Sequence, residues 1–503
     1  MAEQESPDEP GCGERISDEQ GWGGQASGEA LSGVYGSGTC SVGEESPGAC
    51  SSSDVYRSGE EPSGARESGE EPSGAYGSGE ESSGDPEPGD PVPARRGHVP
   101  PEPDPEALLD RLAVLRAADL PVHGGRTMAY VYDSGLDGLD ELAARAAAAF
   151  AGVNGLDMTV FPSVVALEND IVGQAAALLG GDAATAGTFT SGGTESCLLA
   201  VLTAREHARR TRGVTAPEIV LPGTAHAAFH KAARLFGLTV VSVPVDPVTF
   251  RVPAAGLAAA ISERTALVVV SAPSYAHGVV DPVADVAAAA AARGVLCHVD
   301  ACIGGWYLGH LRLAEGVVRP PAFDLSVPGV SSLSVDLHKY AYTPKGASVL
   351  LFRDAELRRH GWFAHASWPG YPVVNATLQG TKSAGPLAAA WAVLRHLGTE
   401  GYIELSRRVH AATARLTEGL GRIDGLYVLG EPDAALVAVA SDDPTARQRA
   451  PEGAATGRRD VSALVRASGG YAFSSCCWTA RRASASRTPQ AIRCSVRTDG
   501  DWS

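Results

Sequence analysis

Two lysines, Lys339 and Lys345, stand six residues apart in the segment "SVDLHKYAYTPKG". Past its Asp-x-His, this segment is otherwise apolar or uncharged, which is typical of the core of a fold. Lysine is strongly hydrated and is seldom fully buried without a partner. The two amines therefore need an anionic partner, and the rest of the sequence must indicate which of them is placed for chemistry.

A carboxylate ends a predicted buried strand in "CHVDACIGGW". Open α/β sheets bind ligands at the carboxyl ends of their strands, which makes Asp300 a candidate site residue. A buried carboxylate needs a cationic partner or strong hydrogen bonds. The alternative is a structural aspartate that caps the following turn. His298, two residues earlier, is interpreted as a structural hydrogen-bonding residue.

A glycine-rich turn in "TFTSGGTESCLLAVLTARE" is a candidate phosphate cradle. A strand-like start runs through Ser191–Thr194 into an amphipathic helix. Glycines allow a tight turn and a close approach to a ligand, and N–H groups at a helix start bind anions. The alternative is an ordinary glycine turn with a threonine cap. His226 ends another predicted strand, where its ring could stack on a flat ligand.

Short β-branched runs alternate with alanine-rich helical stretches through the middle of the chain, as in "EIVLPG", "HAAFHKAARLFG", "TVVSVPV", "ALVVVSAP", "VADVAAAAAARG" and "VLCHVDA". Continuous apolar strands between helices predict a mostly parallel sheet with helices on both faces. After "ASVLLFR", a long helical pattern and two short strand-like runs predict the start of a smaller α+β domain.

Composition separates the first hundred residues from this body. They are rich in Gly, Ser, Glu and Pro, contain a decapeptide repeat from Tyr56 to Asp85, and hold a net charge of −16 out of −18 for the whole chain. So few apolar side chains cannot offset the entropy of ordering, and the segment is predicted to be disordered. The almost neutral remainder argues against nucleic-acid binding driven by phosphate neutralisation.

The compartment is predicted from what the sequence lacks. The first ten residues, "MAEQESPDEP", lack the basic region and the apolar region that a signal peptide contains. No apolar run in the sequence reaches the roughly 18–20 residues of a membrane span. The body holds three of the nine cysteines, Cys197, Cys297 and Cys302, with no C-x-x-C pair. A reduced cytoplasmic protein without a membrane anchor is expected.

Taken together, these stretches resemble one family, the pyridoxal-phosphate (PLP) enzymes of the group II decarboxylase superfamily. Within it, "FPSVVALENDIVG", "TSGGTES", "HVDACIGGW" and "SVDLHKYAYTPKG" look like the sphingosine-1-phosphate-lyase branch, with "LQGTKSAG" as a looser match. The resemblance covers roughly residues 104–443. It implies the aspartate-aminotransferase fold, which is the type I fold of PLP-dependent transferases, with pyridoxal 5′-phosphate as cofactor.

The resemblance implies roles for three catalytic residues. Lys339 would form the covalent Schiff base with the cofactor, which requires an amine that is often neutral, as burial encourages. Asp300 would pair with the pyridine nitrogen and keep it protonated. His226 would stack on the ring.

It also implies residues that hold the phosphate. Gly193 and Thr194 would bind it at the helix N-terminus, and His338 would lie near the phosphate or the Schiff base. Gly380 and Thr381 would reach it from the partner subunit, which implies a homodimer with a shared active site.

Three residues are expected near the substrate, which is a small-molecule amine or amino acid. Lys345 matches the "PKG" lysine of the lyase branch, with an ordinary turn lysine as the alternative. Asp157 stands where that branch has a histidine, and its charge would repel a substrate phosphate. Lys382 replaces a more usual arginine, which binds anions through two parallel hydrogen bonds. No metal site is predicted.

The sequence therefore predicts a PLP-dependent carbon–carbon lyase. Decarboxylation is ranked first, because Asp157 and Lys382 weaken the case for a phosphate-ester substrate. Aldehyde-lyase chemistry of the sphingosine-1-phosphate-lyase kind is the alternative. A transaminase and a catalytically degenerate PLP-fold protein are the further alternatives.

The expected organisation has five parts. They are a disordered acidic tail (1–100), an N-terminal segment (104–165), a PLP-binding large domain (166–380), a linking helix with the start of the small domain (381–443), and an atypical Arg-rich C-terminus (444–503).

Overall fold

The structure, a computed structural model, describes residues 104–441 apart from positions 126, 128, 129 and 318, together with a strand at 476–480. The predicted acidic tail and most of the predicted Arg-rich C-terminus lie outside the described residues. In the part of the chain that is described, no helix is both long and apolar enough to cross a membrane.

The central sheet of the described residues contains seven strands. They are β1 (Ala186–Thr190), β2 (Glu218–Pro222), β3 (Thr239–Val243), β4 (Thr265–Ser271), β5 (Leu296–Asp300), β6 (Val330–Asp336) and β7 (Ser348–Phe352). Their order is β1-β7-β6-β5-β4-β2-β3. Only the two pairs that involve β7 are antiparallel. The predicted mostly parallel sheet and the type I fold are therefore confirmed.

The described ranges contain ten helices. They are α1 (Pro105–Arg116), α2 (Leu139–Ala149), α3 (Pro162–Leu178), α4 (Gly193–Arg212), α5 (Ala227–Phe236), α6 (Ala254–Ala260), α7 (Val283–Ala291), α8 (Gly305–Leu311), α9 (Ala355–Arg359) and α10 (Gly385–Leu420). Gly398 interrupts α10 with a φ of 58° and a ψ of −178°. A left-handed φ at this point suits glycine, which has no Cβ.

Side chains of the central strands alternate between two buried layers. In β4, Val268 and Val270 belong to the larger core cluster, while Leu267 and Val269 pack in a second cluster with α4 and α5. All four are at most 1% exposed. Because successive side chains of a strand point to opposite faces, a strand buried on both faces must be apolar throughout. This explains the continuous apolar runs in the sequence.

Two smaller sheets follow in the described residues. A hairpin joins β8 (Phe363–His365) to β9 (Val373–Asn375), and a three-stranded sheet contains β10 (Leu426–Val428), β11 (Val437–Ser441) and β12 (Cys476–Ala480). β11 is antiparallel to β10 and parallel to β12. Neither the hairpin nor β12 was predicted, because such short strands are defined by pairing with a neighbour more than by their own sequence pattern.

Candidate functional site

Chemistry-bearing residues meet at one edge of the central sheet. β5 ends at Asp300 and its parallel neighbour β6 ends at Asp336. Ser348 at the start of β7 pairs with both Asp336 and Thr190, the last residue of β1. The glycine turn that follows Thr190 therefore begins beside the carboxyl ends of β5 and β6, where open α/β sheets bind ligands.

Lys339 lies in the turn after β6, with its Nζ 2.7 Å from Oδ2 of Asp336. The lysine side chain is 22% exposed and that of the aspartate 2%. Burial alone would lower the pKa of Lys339, but the Asp336 carboxylate outweighs it and the pKa is raised above its ordinary value. The expectation that burial favours a neutral amine does not hold for this pair, because a buried carboxylate stabilises the ammonium.

His338 lies between this ion pair and the glycine turn. Its Nε2 is 3.6 Å from Oδ2 of Asp336, and its Nδ1 accepts the N–H of Ala347 at 3.3 Å. A Cβ at Gly192 would lie 3.3 Å from the ring. Burial lowers the pKa of His338, while the charge of Asp336 raises it, and the net direction is downward. A neutral ring therefore lies beside the glycine turn.

Asp300 is buried at the end of β5, and its Oδ1 accepts the N–H of Cys302 at 3.1 Å. It forms no ion pair with any residue that the structure describes. Two residues earlier, the ring of His298 is fixed by the hydroxyl groups of Ser332 and Ser334, at 2.9 and 3.2 Å. Burial lowers the pKa of His298 to about 4, so a neutral ring is held in the structural role that the sequence suggests.

The glycine turn presents the start of α4 to the same edge. Gly192 has a φ of +151°, a conformation that favours glycine, and no side chain caps this helix start. Glu195 instead fixes the turn from behind, because its two carboxylate oxygens accept the N–H groups of Ser191 (2.7 Å) and Leu378 (2.9 Å). The first N–H groups of α4 are thus available to an anion.

Gly193 packs against the floor of the site, so we expect Gly193→Ala to weaken phosphate binding. An added Cβ would lie 2.7 Å from both carboxylate oxygens of Asp336 and 2.9 Å from Sγ of Cys302. Overpacking of this kind costs about 1–3 kcal/mol, which corresponds to a loss of about 5- to 150-fold in affinity. Titration with pyridoxal phosphate measures it. Gly152→Ala is the matched control, because nothing lies within 4 Å of its added Cβ; equal affinities of the two variants would contradict the expectation.

His226 is the N-cap residue of α5, immediately beyond β2. Its Nδ1 accepts the N–H of Ala228 at 3.2 Å, and its side chain is exposed. That hydrogen bond fixes the ring orientation and leaves the faces of the ring free of local bonding. Since β2 is parallel to β4 and β4 to β5, His226 lies at the same edge of the sheet as Asp300.

Lys345 extends back over the turn that contains the other lysine. Its Nζ donates to the carbonyl oxygen of His338 at 3.1 Å and lies 4.8 Å from the ring centroid of Tyr132. Burial and the charge of Lys339 lower the pKa of Lys345. The ammonium group of Lys345 therefore lies on the same side of the fold as that of Lys339, and it contacts an aromatic ring where Lys339 contacts a carboxylate.

The two residues that depart from the lyase pattern lie on neighbouring segments. The carbonyl oxygen of Lys382 accepts the N–H of Gly155 at 2.7 Å. Asp157 is exposed, and its Oδ1 accepts the N–H groups of Thr159 and Val160 at 3.0 and 3.2 Å. The hydroxyl group of Thr159, which donates to the same oxygen at 2.6 Å, and these two N–H groups lower the pKa of Asp157. The Asp157 carboxylate is therefore hydrogen-bonded within its own turn, and solvent screens its charge. The repulsion of a substrate phosphate that the sequence predicts is weakened as a result.

Gly380 and Thr381 are exposed in the loop before α10. Leu378 of this loop is hydrogen-bonded to Glu195 of the same chain, so the loop lies against the glycine turn. The contribution of Gly380 and Thr381 to a partner subunit's site stays a prediction.

Sequence reasoning missed three residues of this site: Asp336, Glu195 and Tyr132. Asp336 precedes Lys339 by three residues, and that spacing could have indicated an ion pair within one turn. Glu195 follows the glycine turn and could have been recognised as a residue that fixes it. Tyr132 gives no such signal, because only the tertiary fold brings it to Lys345.

The comparisons with known proteins agree with this geometry. The model of the pyridoxal-dependent decarboxylase conserved domain matches residues 122–440. A sphingosine-1-phosphate lyase of Arabidopsis thaliana is 39% identical over 324 residues, which is 63% of this chain and 59% of the relative. Sphingosine-1-phosphate lyase 1 of Rattus norvegicus is 37% identical over 336 residues, 67% of this chain and 58% of the relative. The chain thus spans about three-fifths of the length of these curated relatives.

Solved structures of a sphingosine-1-phosphate lyase and of a decarboxylase are also similar to this chain. A sphingosine-1-phosphate lyase from Burkholderia pseudomallei has a TM-score of 0.63 and 38% identity, and the match covers 67% of this chain and 80% of that one. A glutamate decarboxylase from Lactobacillus brevis has a TM-score of 0.56 at 21% identity, over 68% of this chain and 80% of that one, which indicates a shared fold alone.

Proposed function

Because the chain belongs to the pyridoxal-dependent decarboxylase family, we propose that it is a PLP-dependent carbon–carbon lyase of the aldehyde-lyase type. The proposed substrate is a phosphorylated amino alcohol, which is cleaved between the carbon that carries the amine and the neighbouring carbinol carbon. The products are an aldehyde and a smaller phosphorylated amine.

One observation carries this choice over decarboxylation. The solved sphingosine-1-phosphate lyase is 38% identical over 80% of its length, whereas the glutamate decarboxylase, at 21%, shares the fold alone. Decarboxylation, which the sequence ranks first, becomes the second candidate. Its support was the changes at Asp157 and Lys382, and the Asp157 carboxylate is solvated and bonded within its own turn.

Pyridoxal 5′-phosphate is the cofactor that the family implies, and the residues of the site fit it. Asp300 is a buried carboxylate without an ion-pair partner among the described residues, so a protonated ring nitrogen would satisfy it. The uncapped start of α4 at Gly193 and Thr194 suits a phosphate. Lys339 supplies the amine for the cofactor's aldehyde group, and His226 supplies a ring beside it.

Bound pyridoxal phosphate supplies an electron-accepting ring for the electron pair that is released when a bond to the amine-bearing carbon breaks. Asp300 would hold the ring nitrogen and favour its protonated form, because a buried carboxylate favours a neighbouring cation. Lys339 would hold the cofactor through its amine, and Asp336 would stabilise the ammonium form of Lys339 whenever that amine is free. Lys345 offers a second cation for the substrate phosphate, and its lowered pKa lets it release a proton more readily than an ordinary lysine.

Product analysis separates the candidate reactions. The holoenzyme is incubated with a phosphorylated long-chain amino alcohol and, separately, with a panel of amino acids. We expect a long-chain aldehyde and a phosphorylated amine from the first, without carbon dioxide from the second. Carbon dioxide from an amino acid without any aldehyde would establish decarboxylation instead. A keto acid would indicate a transaminase, and cofactor binding without any product would indicate a degenerate enzyme.

A further inference from the structure

Two cysteines lie together with Asp300 below the glycine turn. Cys197 is in the second turn of α4, and Cys302 follows β5 by two residues. One ligand atom from each, the two Sγ atoms and a carboxylate oxygen of Asp300, all lie within 4.8 Å of one another. Cys197 is 1% exposed, and Cys302 and Asp300 are 8% exposed. The cluster is therefore almost closed to solvent.

The charge balance at this cluster favours a cation. Asp336 is paired with Lys339, but Asp300 has no such partner in the described residues. A buried carboxylate without a partner is costly. Thiolates are soft ligands that select zinc and similar metals, and carboxylates are accepted beside them. The hydroxyl oxygen of Ser334 lies 3.2 Å from Sγ of Cys302, where it can orient that ligand from outside.

We propose that Cys197, Cys302 and Asp300 bind one thiophilic divalent cation of the Zn²⁺ or Cd²⁺ class. Two sulfur–metal bonds and one oxygen–metal bond form, both thiol protons pass to solvent, and water fills the fourth position. No electron is transferred. Zinc–sulfur bonds of about 2.3 Å place tetrahedral ligands about 3.8 Å apart. Separations of at most 4.8 Å thus need only small side-chain rotations.

The cation and the cofactor exclude each other, because both require the carboxylate of Asp300. This consequence rests on the proposed function, since it assumes that Asp300 holds the ring nitrogen. Binding of the cation itself does not depend on that assumption. A thiophilic metal is therefore an inhibitor that competes with cofactor loading, and substrate does not relieve the inhibition.

Cadmium alone tests the site in the full-length, thiol-reduced chain after removal of the cofactor. Thiolate-to-cadmium charge transfer absorbs in the ultraviolet and reports binding without any measurement of turnover. We expect Cys197→Ala and Cys302→Ala each to remove one equivalent of bound cadmium, or to lower the affinity for that equivalent by more than about tenfold. Cys297→Ala is the matched control, because Cys297 is equally buried but lies outside the cluster. The remaining cysteines are unchanged throughout.

Alanine is the best helix former, so Cys197→Ala preserves α4, and thermal unfolding of each variant verifies folding. Identical cadmium titrations for wild type, Cys197→Ala and Cys297→Ala would overturn the site. In a second arm, loading with pyridoxal phosphate beforehand is expected to abolish the signal that depends on Cys197. Retention of that signal in the loaded protein would overturn the competition, even if the proposed lyase activity is present.

Discussion

Lys339→Ala is expected to abolish covalent capture of pyridoxal phosphate and to lower turnover by roughly 10³-fold or more. Alanine removes the amine that would attack the cofactor's aldehyde, and it leaves Asp336 as a buried carboxylate without its ion pair. Absorbance of the purified protein, followed by borohydride reduction and mass measurement, reports the covalent bond. Steady-state aldehyde production reports turnover.

Lys345→Ala is the matched control for this experiment, because it removes an amine six residues away in the same segment. It should retain the borohydride-fixed cofactor, since Lys345 contacts His338 and Tyr132 and not Asp336. A Lys339→Ala protein that still gains the mass of the cofactor after reduction would contradict the assignment of Lys339. Loss of the adduct in Lys345→Ala alone would show that Lys345, and not Lys339, forms the bond to the cofactor.

The second large effect is expected from Asp300→Asn. Asparagine keeps the shape of the side chain but not the charge that holds a proton on the ring nitrogen, so turnover should fall by about 10²–10⁴-fold. Because Lys339 remains, covalent capture of the cofactor should survive. Asp300→Asn should therefore lower turnover without lowering the amount of cofactor that borohydride fixes to the protein. Steady-state kinetics and borohydride fixation measure them on the same preparation.

Asp246→Asn serves as the control for Asp300→Asn. Asp246 is half-buried, and its Oδ1 accepts the N–H groups of Val248 and Thr249, a turn that asparagine also forms. Its kinetics should match those of wild type. If Asp300→Asn and Asp246→Asn had the same turnover, Asp300 would not act on the ring.

Much of the fold follows from the sequence for a physical reason. In β4, a strand buried on both faces has to be apolar at every position, and such runs between alanine-rich helices are visible without a structure. Lys339 and Asp300 were equally accessible to sequence reasoning, because a charge within an apolar run needs an explanation. β12 was not, since a five-residue strand exists through its pairing with β11.

The site shows where sequence reasoning ends. The pKa of Lys339 is raised because the attraction of the buried Asp336 carboxylate is larger than the lowering effect of burial. This balance depends on the distance between the two groups, which only the folded structure gives. Asp157 illustrates the opposite error. A charge that the sequence predicts to act on the substrate is bonded to Thr159 and Val160 and is exposed to solvent. One of the two grounds for ranking decarboxylation over aldehyde cleavage was therefore a weak interaction.

The most direct test of the proposed site is to find which residue holds the cofactor. The full-length holoenzyme is reduced with borohydride and digested, and the peptide that carries the cofactor is sequenced by mass spectrometry. Lys339 should carry the modification, in a peptide from the turn after β6. A modification on Lys345, or on any lysine outside this turn, would contradict the site described here.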